Sequence, residues 1–152
     1  MLIPNSRYLI LEFLGQGTFG QVVKCLNIKT NDLVAIKIIK NQKSYYNQGK
    51  SEVRILKKLN EKDPETNRKI VKLLDCFYYR FHLCLVFELL DVSLLDLLYS
   101  TDFKGIALSD IAFYTKQLLQ GLIKAHEEKI VHCDIKPENI LFIAFSIYFS
   151  RF

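Results

Sequence analysis

Gly15-Gln16-Gly17-Thr18-Phe19-Gly20, running straight into Gln21-Val22-Val23-Lys24-Cys25-Leu26, is the stretch on which the fold turns. Three phosphate-handling architectures use glycines in this way, and the flanking residues separate them. A dinucleotide-binding unit needs its glycines to open a helix, whereas Gln21-Val22-Val23 has strand character. A Walker loop needs Gly-Lys-Ser/Thr, which is missing here. The aliphatic and aromatic run Tyr8 to Leu14 precedes the glycines, so they join two strands as a hairpin. In such a flap, backbone N–H groups reach phosphates with no side chain in the way, and Gly15, Gly17 and Gly20 are the candidate positions. Gly17 matters most for that close approach, and Phe19 at the tip is placed to shield the site from water. Glycines mark any tight loop, so this motif decides nothing alone.

Working outward, Asn27 to Asp32 carries turn residues and Leu33 to Lys40 reads as a third strand with β-branched enrichment. Glu52 to Leu59 places Val53, Leu56 and Leu59 at helical spacing, with a charged opposite face. Val71 to Tyr79 and His82 to Leu89 read as strands four and five around a tight turn at Arg80-Phe81. Leu94 to Tyr99 reads as a short helix. Ser109 is the expected N-cap of a long helix ending near Lys129, with Leu118, Leu119, Leu122 and Ile123 on its buried side. The expected class is α+β: a five-stranded antiparallel sheet with one helix, then a helical region, the boundary lying near Leu89 to Val92.

Composition narrows the function classes. The 152 residues are 50% hydrophobic, enough for one domain burying roughly two-thirds of its unfolded surface. Lys+Arg 21 against Asp+Glu 16 gives a net charge of +5 and a pI of about 9.0, which suits an anionic ligand. The bases are scattered with no nucleic-acid-type block, so no nucleic-acid partner is expected. Cys25, Cys76, Cys84 and Cys133 lie far apart without a C-x-x-C pair, which argues for a reducing compartment, cytoplasm or nucleus. Met1 to Arg7 is too short an apolar run for a signal peptide, and Ile140 to Phe149 is about half the length of a bilayer-crossing helix. No membrane partner is expected.

Three further groups carry chemistry. Lys37 ends Val34-Ala35-Ile36-Lys37 on the third strand, and alternation puts it on the face of Ala35, under the flap. A cation there can meet α- and β-phosphates if a carboxylate holds its flexible stem. Glu52, on the next helix, is the candidate partner, although many helix glutamates are simply exposed. His132-Cys133-Asp134-Ile135-Lys136-Pro137-Glu138-Asn139 is the most specific signal. Asp134 can take or orient the proton of an acceptor hydroxyl, and Asn139 can reach a magnesium ion bridging phosphates. Lys136 can neutralise charge on the transferred group, and Pro137 stiffens the loop.

Together these residues resemble a eukaryotic protein kinase, specifically the dual-specificity tyrosine-regulated (DYRK) group and its Yak-like branch. The residues carrying the likeness are Leu14 to Cys25, Glu52 to Leu56, His82 to Leu90 and His132-Cys133-Asp134, within a match from about Tyr8 to Phe142. The resemblance implies a two-lobe fold, with residues 8–90 as a complete N-lobe and hinge. Residues 91–142 would then start the C-lobe with its catalytic loop, and 143–152 would form a divergent apolar tail. It also implies an adenine pocket: Val22 and Ala35 as roof, Leu141 as floor, Phe87 as gatekeeper, backbone at Glu88 and Leu90 as hinge, and Asp96 and Glu138 near the ribose. Cys133 stands where most kinases carry arginine, so a phosphothreonine switch through that position is not expected.

The expected activity is transfer of the ATP γ-phosphate, with Mg2+, to Ser/Thr hydroxyls of proteins, and to Tyr as a dual-specificity group would. Beyond Phe142 the sequence Ile143 to Phe152 departs from the family, with no Asp-Phe-Gly and no Ala-Pro-Glu. The alternative reading is therefore a truncated fragment that acts at most as an ATP-binding or interaction module.

Overall fold

The computed structural model describes residues 2–3, 7–62, 69–143 and 146–149. Two compact units share the chain: Met1–Arg54 with Lys72–Leu89, and Ile55–Val71 with Leu90–Phe152.

In the first unit, alternation builds an antiparallel sheet. Its strands are β1 (Leu2–Ile3), β2 (Tyr8–Gln16), β3 (Gly20–Asn27), β4 (Asp32–Ile39), β5 (Leu73–Tyr79) and β6 (His82–Glu88). Among the described residues their order is β1-β2-β3-β4-β6-β5. The five expected strands are all present. The sixth, β1, pairs Leu2 with Leu9 and Ile3 with Tyr8, and two residues carry no periodicity to read. Every second residue of β3 and β4 points inward, so Val23, Cys25, Val34, Ile36, Cys84 and Val86 form one buried cluster with Tyr8. Tyr8 stacks on Phe77 with ring centroids 5.6 Å apart. Burial pushes the Cys25 and Cys84 thiols up to about 11 and about 12, which makes them packing groups rather than nucleophiles.

The turns follow from local chemistry. Asn27 accepts from Lys29 N–H through its side chain and from Asn31 N–H through its carbonyl, and Asn31 takes the left-handed φ of 63° that the turn needs. The β5–β6 turn has left-handed φ at both central residues, Arg80 (45°) and Phe81 (69°), the type I′ pattern normally filled by Asn-Gly.

Helix α1 (Lys43–Lys62) starts well before the stripe that announced it. Its N-terminal half is polar, and it comes close to the sheet at Gly49, where a Cβ would come within 2.9 Å of Leu83 Cδ2 and 3.4 Å of Ile39 Cγ1. A glycine at a helix contact looks like a weakness in a sequence, yet here it sets the closeness of the packing.

In the second unit, Leu56 and Leu59 on the later turns of α1 are buried as expected, as are Ile70 and Val71. Asn60 Nδ2 donates to Val71 O at 3.0 Å, and Lys58 Nζ donates to Glu128 O at 2.9 Å. Helix α2 (Leu94–Ser100) opens on a reciprocal capping box between Ser93 and Asp96. Helix α3 (Leu108–Glu127) corrects two expectations. Its N-cap is Ala107 with no side-chain bond, so Ser109 lies inside the first turn. Its buried residues are Gln117, Gly121 and Ala125, while Leu119 and Ile123 are 52% and 57% exposed. The reason is rotation: at 100° per residue, 119 and 123 lie about 200° round from 117 and 121. Leu118 and Leu122, one step round, do pack, joining Leu94, Leu97 and Tyr114 against Ile140 and Phe142.

Ile140 belongs to β7 (Ile140–Ile143), which pairs antiparallel with β8 (Ser146–Phe149). Thus part of the expected tail is a strand, while 144–145 and 150–152 lie outside the described residues, as do 1 and 4–6 of the N-terminal run. No helix among the described residues is long and apolar enough to cross a membrane.

Candidate active-site residues

In the first unit, the glycine run is a strand–turn–strand hairpin. Gly17 N–H donates to Gly20 O at 2.9 Å, closing the turn. Gly20 sits opposite Ile39, and a Cβ on it would lie 2.1 Å from the Ile38 carbonyl oxygen. That position is glycine because β4 backbone occupies the space a side chain needs. Around Gly15, by contrast, a Cβ would meet nothing within 4 Å. Phe19 O accepts from Lys40 N–H at 2.9 Å, and the Phe19 ring meets Tyr45 of α1 edge-on at 5.7 Å, tying the hairpin tip to the helix.

Lys37 lies in mid-sheet, opposite Val22 on β3 and Leu85 on β6. Its Nζ stands 2.6 Å from both Glu52 oxygens, and the two side chains are only 10% and 9% exposed. The sequence named Glu52 the candidate partner of Lys37, and the structure buries it as a bidentate one. Ala35 pairs with Phe87, which is buried, and the Glu88 carboxylate accepts from Lys72 N–H at 2.6 Å.

In the second unit, the segment from His132 to Asn139 folds onto Asp134. Asn139 is buried and its Nδ2 donates to Asp134 O at 2.8 Å and to Asp134 Oδ2 at 2.9 Å. Lys136 Nζ lies 3.0 Å from Asp134 Oδ1. The Asp134 N–H donates to His132 Nδ1 at 3.2 Å. Burial holds the His132 imidazole below its ordinary pKa, against an opposing pull from Asp134, so the ring acts as a neutral acceptor. Cys133 takes a left-handed φ of 64°, and Pro137–Asn139 form a single 3₁₀ turn. The loop is thus preorganised: the Asp134 carboxylate is held by an amide and a cation and its backbone by His132 and Asn139, while its side chain stays 43% exposed.

The remaining expected positions are distributed as follows. Leu90, Asp96, Glu138 and Leu141 belong to the second unit, with Leu141 bridged to Ser93. The Asp96 carboxylate accepts from Ser93 N–H and Oγ–H at 2.7 and 2.6 Å, which lowers its pKa and gives it a capping role the sequence reading passed over. The spacing Ser93-x-x-Asp96 was the available signal. Among the described residues no group of three or more His, Cys, Asp or Glu side chains is arranged to hold a metal ion.

Comparison with known proteins agrees with this geometry. Residues 8–145 match the family described as protein kinase domain. The chain is 50% identical over 138 residues to the probable serine/threonine-protein kinase yakA of Dictyostelium discoideum, covering 90% of this chain and 10% of that protein. It is 49% identical over 141 residues to the dual specificity protein kinase YAK1 homolog of Arabidopsis thaliana, covering 92% and 15%. It is 45% identical over 135 residues to the human dual specificity tyrosine-phosphorylation-regulated kinase 4, covering 89% and 26%. The chain therefore spans between a tenth and about a quarter of these relatives' lengths. Their names fall in the Yak and tyrosine-regulated group to which the motifs pointed. With the Lys37–Glu52 pair, the folded Asp134 loop and a match across 8–145, the chain belongs to the protein kinase family.

Proposed function

We propose that this chain supplies the nucleotide-holding and acceptor-orienting residues of a kinase that moves the ATP γ-phosphate to Ser/Thr, and also Tyr, hydroxyls of proteins. The observation that carries the reading is the buried Lys37–Glu52 pair. An ammonium is rarely kept out of water without a task, and Glu52 fixes its flexible stem for the α- and β-phosphates. The glycine hairpin offers backbone N–H groups to the same anion. Val22, Ala35, Phe87, Leu141 and backbone at Glu88 and Leu90 serve the adenine, with Glu138 near the ribose. Asp96 is retained near the ribose only as a backbone-capping neighbour.

In the transfer, the acceptor oxygen bonds to the γ-phosphorus as the bond to the β-phosphate oxygen breaks, and ADP leaves. The hydroxyl proton passes to Asp134, which Asn139 and His132 hold in place, and Lys136 offsets charge on the moving group. Asn139 would offer its Oδ1 to Mg2+, which neutralises phosphate charge when bound.

The test begins with Mg·ATP titration of the 152-residue chain by calorimetry. Saturable binding is expected, weakened by about tenfold or more in Lys37→Met. Equal binding by both proteins, or none by the wild type, would overturn the reading. A transfer assay on the longest natural protein containing this chain, wild type against Asp134→Asn, separates a kinase from a module that only binds ATP.

A further inference from the structure

Two phenols of the first unit, neither with a part in the nucleotide reading, are joined oxygen to oxygen. Tyr46 lies in the first turn of α1 and Tyr78 on β5, 32 residues apart in sequence, and the Tyr78 hydroxyl donates to the Tyr46 oxygen at 2.7 Å. Their ring centroids are 5.9 Å apart, with the planes tilted by 37°. The other ring pairs among the described residues set tyrosine against phenylalanine, which has no hydroxyl proton to lose.

Exposure, composition and preorganisation make this pair a sink for oxidation. Tyr78 is 55% exposed on β5, the last strand in the sheet order, so an oxidant in solvent reaches its ring. Tyr46 is half-buried beside it. The chain has no tryptophan and its one methionine is Met1, so oxidising equivalents fall to tyrosine and cysteine. Two of the four thiols are withdrawn, because Cys25 and Cys84 are buried and pushed up to about 11 and about 12. The rings are also held before any reaction. Tyr78 is in register with Leu83, the residue against which Gly49 of α1 lies, and Lys50 Nζ stands 5.5 Å from the Tyr46 ring centroid. Two groups fixed in contact react as if at a very high concentration of each other.

We infer that Tyr46 and Tyr78 form an oxidative crosslinking site, at which a peroxide-driven oxidant of the haem-peroxidase class joins α1 to β5 through a dityrosine bond. Each phenol gives one electron and its hydroxyl proton to the oxidant. The two phenoxyl radicals join carbon to carbon, ortho to their oxygens, and the ring hydrogens on those carbons move to the oxygens to restore both hydroxyls. One hydrogen peroxide becomes two waters for each bond formed, and the protein loses two hydrogen atoms. The hydrogen bond brings together the hydroxyl-bearing ends of the rings, which are the ends that couple. The new bond fixes to the sheet the stretch of α1 that leads to Glu52.

The test treats the dilute 152-residue chain with hydrogen peroxide and a haem peroxidase, then with dithiothreitol, which reverses disulfides but not a carbon–carbon bond. The expected product is a monomer lighter by two hydrogen masses, with dityrosine fluorescence and a peptide map that links Tyr46 to Tyr78. Because proximity drives the internal coupling, Tyr46→Phe and Tyr78→Phe are each expected to lower the dityrosine yield of the monomer by about tenfold or more. Phenylalanine keeps each ring in place, so the loss reports the missing hydroxyl rather than unfolding. The crosslinked monomer is expected to melt about 10 °C above the untreated chain, because the bond restricts the unfolded state as a disulfide spanning 32 residues does. A link that maps to other tyrosines overturns the inference, as does dityrosine confined to dimers. Unchanged yield in either variant overturns it too, and so does an unchanged melting temperature. The bond uses no residue of the nucleotide reading, so each reading fails on its own measurement.

Discussion

Removing one partner of the Lys37–Glu52 pair should be far more damaging than removing both. With Nζ 2.6 Å from each carboxylate oxygen, the attraction is about 6 kcal/mol at an effective dielectric near 20. Taking the two charges out of water costs several kcal/mol for each, so the intact pair sits close to break-even. Glu52→Leu abolishes the attraction but leaves the ammonium buried, and should cost about 3 kcal/mol; Lys37→Met strands the carboxylate at a similar cost of about 3 kcal/mol. The double variant Lys37→Met, Glu52→Leu leaves no buried charge and should lie within about 1 kcal/mol of wild type. The resulting coupling is roughly 5 kcal/mol, large enough to measure well. Urea unfolding of the 152-residue chain, followed by far-UV circular dichroism, gives all four values. If the single changes simply add, with coupling under about 1 kcal/mol, the pair is solvated and the argument from burial fails. The design also separates stability from function, because the double variant should fold yet lose affinity for Mg·ATP.

Two other perturbations discriminate between readings of the loops. Gly20→Ala should destabilise by about 2 kcal/mol, since its Cβ would meet a backbone oxygen that cannot rotate away, whereas Gly15→Ala should stay within about 0.5 kcal/mol; equal effects in thermal melts would refute the distinction. Burial lowers the His132 pKa below 6.5, so the unfolded chain takes up that proton first and stability should fall as pH drops through this value. The contribution is at most about 1.4 kcal/mol per pH unit, and His132→Gln should remove it from the pH profile of urea midpoints.

Strand and helix positions were legible where burial follows a period. Val23, Cys25, Val34 and Ile36 alternate, so the sheet could be read from them, and Leu56 and Leu59 announced α1. The reading failed where contact is made by residues without apolar bulk. Gly49, and the Gln117, Gly121 and Ala125 stripe of α3, bury a helix by allowing close approach, which a hydrophobicity pattern scores as a gap. The adjacent pairs Leu118-Leu119 and Leu122-Ile123 then misled, because a helix facing one neighbour packs the first of each pair and exposes the second. Leu2 and Ile3 were invisible for a different reason: they pair only because Leu9 and Tyr8 offer an edge, a non-local cause.

The candidate site shows the same division between chemistry and placement. Residue types at fixed offsets marked Asp134, Lys136 and Asn139, which the structure brings into contact because each offset is a reach along one loop. Glu52 needed the geometry, since a helix glutamate meets a strand lysine only when the helix turns it inward, and Gly49, three residues earlier, lies close against Leu83 and Ile39 of the same sheet. Asp96 shows the converse: a carboxylate chosen by family analogy has its oxygens engaged by Ser93, so its first duty is to start α2. An acidic residue is free to serve a ligand only where its local backbone does not already use that charge. By that criterion Glu52 is committed to Lys37, Asp134 is braced yet still solvent-facing, and Asp96 belongs to its helix.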